Sequence, residues 1–190
     1  MKYFLDTEFI EDGRTIDLLS IGLVADDGRE LYRQSSQCNF AKAGDWVWRN
    51  VFPYLEHFNM SGDRSCRQPQ MNTCGDKLTG KCSAICPWSQ KWEIRDEVTA
   101  FCDPDIHGKP EFWGYYCDYD WVAFCQLFGC MVDLPKGYPM YCRDIKQLCV
   151  SLGDPELPKS LTREHNALID ARRIRADHGF LINLLIHPRP

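Results

Sequence analysis

A ten-residue segment at positions 16–25, with the sequence IDLLSIGLVA, places the tightest constraint on how this chain can fold. Its nearly continuous apolar character predicts a central strand, buried on both faces of a sheet. Asp27 and Gly28 follow it and form a strong tight-turn signal, so we expect an antiparallel hairpin with a strand at Glu30–Gln34. Another extended segment, Lys2–Ile10, precedes the pair. The start of the chain therefore predicts three antiparallel strands.

Strands and helical patterns alternate in the remainder of the chain. Further strands are expected at Pro110–Tyr116 and shortly before Asp144. Five helices are expected: after a cap at Asp45, after a cap at Ser89, over Asp120–Gly129, from about Asp144, and along the C-terminal segment. Trp46 and Trp92 are expected on the buried faces of the first two helices. Three antiparallel strands followed by parallel strands, flanked by helices, give an α/β domain with a mixed sheet. We expect residues 1–190 to form a single domain, interrupted by an irregular polar insertion at about residues 59–87.

Composition and charge narrow the class of protein. The chain has 190 residues, of which 44% are hydrophobic, as expected for one globular domain. Its net charge of -5 provides no overall positive field, so contact with nucleic acid has to rely on local Lys and Arg or on bound cations. Without a signal peptide or a membrane-spanning tract, we expect a cytoplasmic protein with no membrane contact. In that setting the eleven cysteines indicate reduced thiols or a metal site rather than disulfides.

Acidic residues stand in the middle of the first apolar strand. Asp6 and Glu8 are two residues apart, so on a strand they share one face. Two like charges among apolar neighbours raise carboxyl pKa values and cost stability unless a cation lies between them. The alternative is an edge strand whose polar face meets solvent, which is the usual situation for exposed acids.

Two further acids lie in matching surroundings. Asp120 follows the strand EFWGYY at the start of an apolar helix, and Asp170 lies in the first turns of the C-terminal helix. Acids at the ends of elements beside a sheet can converge on one point, and carboxylate oxygens are the ligands that Mg²⁺ and Mn²⁺ prefer. The competing interpretation is that each acid merely stabilises the N-terminus of its helix.

His165 supplies a group that can take up a proton near neutral pH. It precedes Asp170 by five residues, and five helical residues turn a side chain by about 140°, so the two cannot share one helix face. The geometry works if Asn166 caps the helix and His165 hangs from the preceding loop. A histidine in a loop is otherwise an ordinary surface residue.

These residues lie in three sequence motifs, FLDTEF at residues 4–9, YDWVAF at residues 119–124 and HNALIDA at residues 165–171. Together the motifs resemble those of the DEDDh 3′-to-5′ exonucleases of the ribonuclease H-like superfamily. The resemblance is nearest to small bacterial and phage exoribonucleases, extends from Tyr3 to about Arg173, and excludes the insertion. It implies a ribonuclease H-like sheet and an enzyme that releases nucleoside 5′-monophosphates from the 3′ end of single-stranded nucleic acid, with RNA favoured over DNA. Relatives of this kind are often homodimers.

The resemblance also implies residue roles. Two Mg²⁺ or Mn²⁺ ions would be held by Asp6, Glu8, Asp120 and Asp170, with His165 as the general base. This chain departs from the family pattern just before motif II, where residues 115–117 are Tyr-Tyr-Cys. Asp118, two residues before Asp120, is an alternative ligand, and we prefer Asp120 because it follows Tyr119 as in the nearest relatives.

Some residues near the motifs suit contacts with substrate. Phe9 directly follows Glu8 and could pack on the terminal nucleotide, although packing in the core is equally consistent with its position. Arg163, Arg172 and Arg173 flank motif III and could meet phosphates, or they could form the solvated face of a helix.

The insertion contains a group of cysteines, and the members that could bind structural zinc are Cys66, Cys74, Cys82 and Cys86, with His57 as a substitute for one of them. Their spacings of eight, eight and four do not match the usual paired C-x₂₋₄-C pattern. The sequence therefore favours a surface insertion with free thiols over a zinc site.

Two other functions remain open at the level of sequence. A protein could keep this fold without catalysis and act as a binding module for nucleic acid or protein, although all five chemical positions are filled. A metal-dependent hydrolase of small phosphoesters such as dinucleotides is the other alternative.

Overall fold

The structure, a computed structural model, describes residues 1–56, 86–159 and 165–187. Its first three strands are β1 (Lys2–Glu11), β2 (Ile16–Ala25) and β3 (Glu30–Ser35). β1 pairs antiparallel with β2, and β2 pairs antiparallel with β3. The turn between β2 and β3 relies on Gly28, whose φ of 91° lies in the left-handed region that glycine adopts readily. The predicted antiparallel start is confirmed.

Three short strands complete a sheet of six. They are β4 (Trp88–Ser89), β5 (Glu111–Gly114) and β6 (Arg143–Asp144). The strand order is β4-β3-β2-β1-β5-β6, and β4, β5 and β6 each pair parallel with their inner neighbour. The mixed α/β sheet predicted from the sequence is therefore confirmed, and it is consistent with a ribonuclease H-like fold.

Helices cover both faces of the sheet. They are α1 (Asp45–Asn50), α2 (Lys91–Phe101), α3 (Pro104–His107), α4 (Asp118–Gln126), α5 (Ile145–Ser151) and α6 (Ala167–Ile186). Asp144 caps α5 and Asn166 caps α6, each by accepting a hydrogen bond from a backbone N–H of the first turn. The sequence predicted the Asn166 cap and a helix that starts near Asp144, without assigning Asp144 as its cap.

Other boundaries differ from the predictions. Asp45 lies inside the first turn of α1 and does not cap it. Ser89 belongs to β4, and α2 is capped instead by Gln90, whose capping box with Glu93 satisfies two backbone N–H groups. α4 begins two residues before Asp120, because the residues that follow the short β5 already turn into the helix.

The core has two layers, one on each face of the sheet. Alternate residues of β1 point to opposite faces, so Tyr3 and Leu5 pack with Phe112 and Phe124 on the side of α2 and α4. The intervening residue Phe4 packs on the side of α5 and α6. β1 and β2 are thus buried on both faces, as the apolar character of residues 16–25 indicates.

Two tryptophans predicted to be buried are exposed instead. The exposed fractions are 58% for Trp46 and 51% for Trp92. α1 is only six residues long, and it presents Trp46 outward while Val51 and Phe52 beyond its end fill the core. The helical period alone could not show which side of so short a helix meets the sheet.

Gly22 brings the N-terminal end of α6 against the sheet. It lies on β2 directly opposite Asp6, and a methyl group at this position would overlap the backbone of Ala167, the first residue of α6. The missing side chain therefore allows a helix backbone to rest on a strand backbone. Because Gly22 and Asp6 are cross-strand neighbours, the contact fixes the start of α6 beside Asp6.

Several expectations from the sequence are not tested by the described residues. The insertion falls almost entirely outside them, and the single domain over residues 1–190 stays a prediction. Within the described parts of the chain, the structure contains no helix with the length and apolar character needed to cross a membrane.

Substituting Gly22→Ala should displace α6 and lower the free energy of unfolding by about 1–3 kcal/mol, the usual cost of overpacking a tight site. Urea denaturation measures the change. The matched control is Gly179→Ala, which lies within α6 where an added Cβ meets no atom within 4 Å. That control should gain up to about 1 kcal/mol because alanine favours the helix. Equal stability of Gly22→Ala and the unmodified protein would contradict the role given to Gly22.

Candidate active site and metal centre

Three carboxylates from distant parts of the chain meet at one point. Ligand oxygens of Asp6, Glu8 and Asp170 all lie within 4.8 Å of one another. Asp6 and Glu8 are on the face of β1 that packs against α6, and Asp170 lies in the first turn of that helix. The contact of Gly22 with the start of α6 makes the approach possible.

Asp120 reaches the same region from the opposite face of the sheet. β5 pairs with β1 only as far as Phe4, so the N–H of Thr7 lies beyond the end of its neighbouring strand. This N–H donates to Asp120 Oδ1 at 2.8 Å, and the Thr7 hydroxyl donates to the same oxygen at 2.6 Å. Asp120 is buried, and the two hydrogen bonds fix its carboxylate at the strand end. Asp118 is exposed and faces a different cleft.

Burial and mutual repulsion shift these carboxylates strongly. Burial, followed by the charges of Asp120, Glu8 and Asp170, raises the pKa of Asp6 well above its usual range. Burial and the charges of Asp170 and Asp120 raise the pKa of Glu8 to about 8. At neutral pH the cluster therefore either holds protons or needs positive charge from outside.

The other two acids are shifted less because hydrogen-bond donors offset their burial. Burial raises the pKa of Asp120 to about 6, and the two Thr7 donors work against this rise. Burial also raises the pKa of Asp170, whereas the backbone N–H groups of Asn166 and His165 lower it. Donors to the ionised carboxylate thus favour the charged form at both positions.

The donor set fits a hard divalent cation. Every ligand is a carboxylate oxygen, which is the donor type that Mg²⁺ and Mn²⁺ select over soft metals. A cation at the cluster of Asp6, Glu8 and Asp170 would neutralise the repulsion that raises their pKa values. The residues present therefore fit the metal centre that the sequence motifs imply.

His165 occupies a strained turn immediately before α6. Its φ is 67°, a left-handed conformation that is uncommon for residues other than glycine. Its backbone N–H donates to Asp170 Oδ2 at 2.8 Å, and the N–H of Asn166 donates to the same oxygen at 3.2 Å. The imidazole meets the ring of Trp46 edge to face, with centroids 4.9 Å apart. The turn thus positions His165 and Asp170 together.

All of these groups line one cleft with a volume of about 490 Å³. The five residues predicted to carry the chemistry are present in its wall, namely Asp6, Glu8, Asp120, His165 and Asp170. Phe9 also lines it, half-buried, with its ring 5.8 Å from that of Tyr119. Arg173 contributes a guanidinium group to the same wall.

Other predicted contacts are elsewhere or cannot be placed. Arg172 forms a bidentate ion pair with Glu30, with N–O distances of 2.8 and 2.6 Å. It does not line the cleft, so its predicted contact with phosphate is not supported. Arg163, Cys66, Cys74, Cys82 and His57 lie outside the described residues. Cys86, which is described, is half-buried against the core cluster that contains Trp88.

The structure adds cleft residues to which sequence reasoning assigned no role there. They are Thr7, Trp46, Tyr115 and Tyr116. Thr7 stands between Asp6 and Glu8, and a hydroxyl between two such acids was the available signal. Trp46 gave no signal, because a tryptophan on an amphipathic helix is usually part of the core.

Comparison with known proteins gives consistent results. A family model described as the 3′-5′ exoribonuclease Rv2179c-like domain matches residues 1–176. Two relatives from Mycobacterium tuberculosis are 38% identical to the chain over 172 residues, which is 90% of this chain and 88% of each relative. They are the 3′-5′ exoribonuclease MT2234.1 of strain CDC 1551 / Oshkosh and the 3′-5′ exoribonuclease Rv2179c of strain ATCC 25618 / H37Rv.

The raised pKa of Glu8 predicts how the stability of the metal-free protein depends on pH. Glu8 holds a proton in the native state that it has lost in the unfolded state at pH values between the usual glutamate pKa of about 4.3 and the folded value of about 8. The free energy of unfolding therefore falls as pH rises through this window. In EDTA, Glu8→Gln should lose less stability than the unmodified protein as the pH rises. It should melt at least about 3 °C above the unmodified protein at pH 8.5, with a smaller difference at pH 5.

Thermal unfolding followed by circular dichroism at both pH values provides the measurement. Glu156→Gln is the control, since Glu156 is exposed and lines neither the cleft nor the cluster. If Glu8→Gln and the unmodified protein lost stability in parallel between pH 5 and 8.5, Glu8 would not carry the proton.

Proposed function

We propose, given that this chain belongs to the Rv2179c-like family of 3′-5′ exoribonucleases, that it is a metal-dependent enzyme that shortens single-stranded RNA from the 3′ end. The products would be nucleoside 5′-monophosphates. The observation that carries the proposal is the convergence of Asp6, Glu8 and Asp170 within 4.8 Å, in a cleft that also contains His165. The names of the two relatives favour RNA over DNA as the substrate.

The metal ligands would be Asp6, Glu8, Asp120 and Asp170. When bound, two Mg²⁺ or Mn²⁺ ions would supply a water of lowered pKa and positive charge for the attacked phosphate and the leaving 3′ oxygen. The chain contributes rigidity: β1 fixes two of the acids, and Thr7 fixes Asp120 through two donors. The carboxylates are thereby held in place before the substrate enters.

His165 would act as the general base. Its position in the cleft suits removal of a proton from an attacking water. Two contacts restrict it, since its backbone is tied to Asp170 and its ring meets Trp46. An imidazole with fewer orientations transfers a proton more efficiently, because less freedom is lost in reaching the transition state.

The walls of the cleft suit a single strand with unstacked bases. Phe9, Trp46, Tyr115 and Tyr116 offer aromatic surface, and Arg173, whose Nε lies 3.7 Å from Asp177 Oδ2, adds positive charge to the wall. Aromatic rings bind bases by stacking, while a cation contacts phosphate. A net charge of -5 gives no general attraction for RNA, so affinity has to arise from these local groups. Cytoplasmic location and a homodimer remain predictions.

Incubation of the purified protein with a 5′-labelled RNA of twenty nucleotides and Mn²⁺ tests the proposal. We expect a ladder shortened from the 3′ end, release of nucleoside 5′-monophosphates, and complete inhibition by EDTA. A DNA strand of the same sequence should be degraded more slowly. Absence of mononucleotide release from both strands would instead favour a binding module on this fold.

Substitution of the clustered acids should separate catalysis from stability. Asp6→Ala and Asp170→Ala should each lower kcat at least about 100-fold, because transition-state stabilisation worth several kcal/mol depends on the bound metals. In EDTA the melting temperature of Asp6→Ala should stay equal or rise, since removal of one acid relieves repulsion. Asp170→Ala should melt below Asp6→Ala, because the backbone N–H groups of His165 and Asn166 also lose their acceptor. The measurements are RNA hydrolysis and thermal unfolding.

Asp96→Asn serves as the matched control for these variants. Asp96 is an exposed acid of α2 that pairs with Arg95 and does not line the cleft. It should leave hydrolysis within about two-fold of the unmodified protein, as surface substitutions usually do. Loss of activity in Asp6→Ala together with unfolding would assign that acid a structural role.

A further inference from the structure

A second cleft shares one wall with the catalytic cleft. It has a volume of about 450 Å³ and is lined by residues that include Tyr116, Asp118, Lys146, Gln147 and Val150. Tyr116 lines both clefts. The second volume lies within the range of about 300–1,000 Å³ that small-molecule sites occupy. A strand of RNA with its 3′ end at the carboxylates could therefore pass from one cleft to the other beside Tyr116.

Tyr116 is held in a conformation that keeps its ring available. Its φ is 53°, in the left-handed region that costs about 1 kcal/mol or more for such a side chain. The ring meets that of Tyr115 edge to face, with centroids 4.7 Å apart, and 64% of Tyr116 is exposed. An exposed aromatic ring braced by a neighbour can stack on a base without ordering a free side chain.

Charge indicates which part of a nucleotide enters the second cleft. The ammonium group of Lys146 is already paired with Asp154. The carboxylate of Asp144 accepts the backbone N–H groups of Cys117 and Gln147. Asp118 adds an exposed negative charge, so a phosphate would be repelled. The ring of Tyr116 and the apolar side chain of Val150 instead suit the face of a base.

We infer that the second cleft binds the base of a nucleotide upstream of the scissile bond, stacked on Tyr116, in the strand whose 3′ end is cleaved. This inference rests on the proposed function. The two clefts then form one path, in which the carboxylates act on the terminal nucleotide and Tyr116 separates it from the upstream base. A strand with a nucleotide upstream of the scissile bond gains a contact that the p-nitrophenyl ester of a nucleoside 5′-monophosphate lacks, because that ester has no upstream base.

Obstruction of the second cleft tests the inference. Val150→Trp places a large side chain in this cleft without touching the catalytic one, and Val150 is 57% exposed, so the fold should tolerate it. We expect the ratio of kcat/KM for a twenty-nucleotide RNA to that for the p-nitrophenyl ester of a nucleoside 5′-monophosphate to fall about five-fold or more, the effect of one lost stack. Tyr116→Ala should lower the ratio, and Tyr116→Phe should keep it.

The matched control is Val132→Trp, which makes the same change at a 78% exposed valine that lines neither cleft and should keep the ratio. A ratio unchanged by Val150→Trp, or an equal loss on both substrates, would overturn the inference. If the unmodified protein released no mononucleotide, the proposed function would fail by itself. The affinity for a fluorescein-labelled twenty-nucleotide RNA in EDTA, measured by anisotropy, would then test the inference separately. Equal affinity of Val150→Trp and the unmodified protein would overturn the binding role inferred for the second cleft.

Discussion

Repulsion among buried carboxylates is the constraint on which the rest of this structure depends. Asp6, Glu8 and Asp170 approach within 4.8 Å, with Glu8 buried and the other two half-buried, an arrangement that opposes folding unless protons or cations compensate it. Only a rigid scaffold can keep such groups together, because flexible segments would move apart. The central strands provide that scaffold, since β1 and β2 are paired along nearly their whole length and buried on both faces.

β1 brings acids from both layers of the protein to one place. Its alternation places Asp6 and Glu8 on the face of α6, whereas Thr7 faces the layer of α4 and holds Asp120. The short length of β5 is part of the arrangement, because a longer strand would occupy the N–H of Thr7 that Asp120 accepts. One strand end thus collects carboxylates that the helices of a single layer could not supply together.

The sequence predicted the sheet well because its signals are local. The apolar run at residues 16–25 and the turn at Asp27 and Gly28 determine strand order over short distances. The acids were identified by their motifs, while their convergence depends on Gly22, whose role appears only when the backbone of Ala167 is seen against it. Trp46 was assigned to the core because its period fits a buried face, yet α1 is too short for the period to decide. Tertiary contacts, which spacing does not encode, settle such positions.

Backbone strain is found mainly at the site and not in the central strands. Among the described residues, three other than glycine have a left-handed φ, and two of them, His165 and Tyr116, line the cleft that contains the clustered carboxylates. Each conformation costs about 1–3 kcal/mol, so it persists only where the surrounding contacts compensate. For His165 the compensation is visible, because the turn directs two N–H groups to Asp170 and lets Asn166 cap α6. For Tyr116 the packing against Tyr115 leaves most of the residue exposed. The strained backbone at Tyr116 therefore holds an exposed ring where the two clefts meet, as the proposed stacking on a base requires.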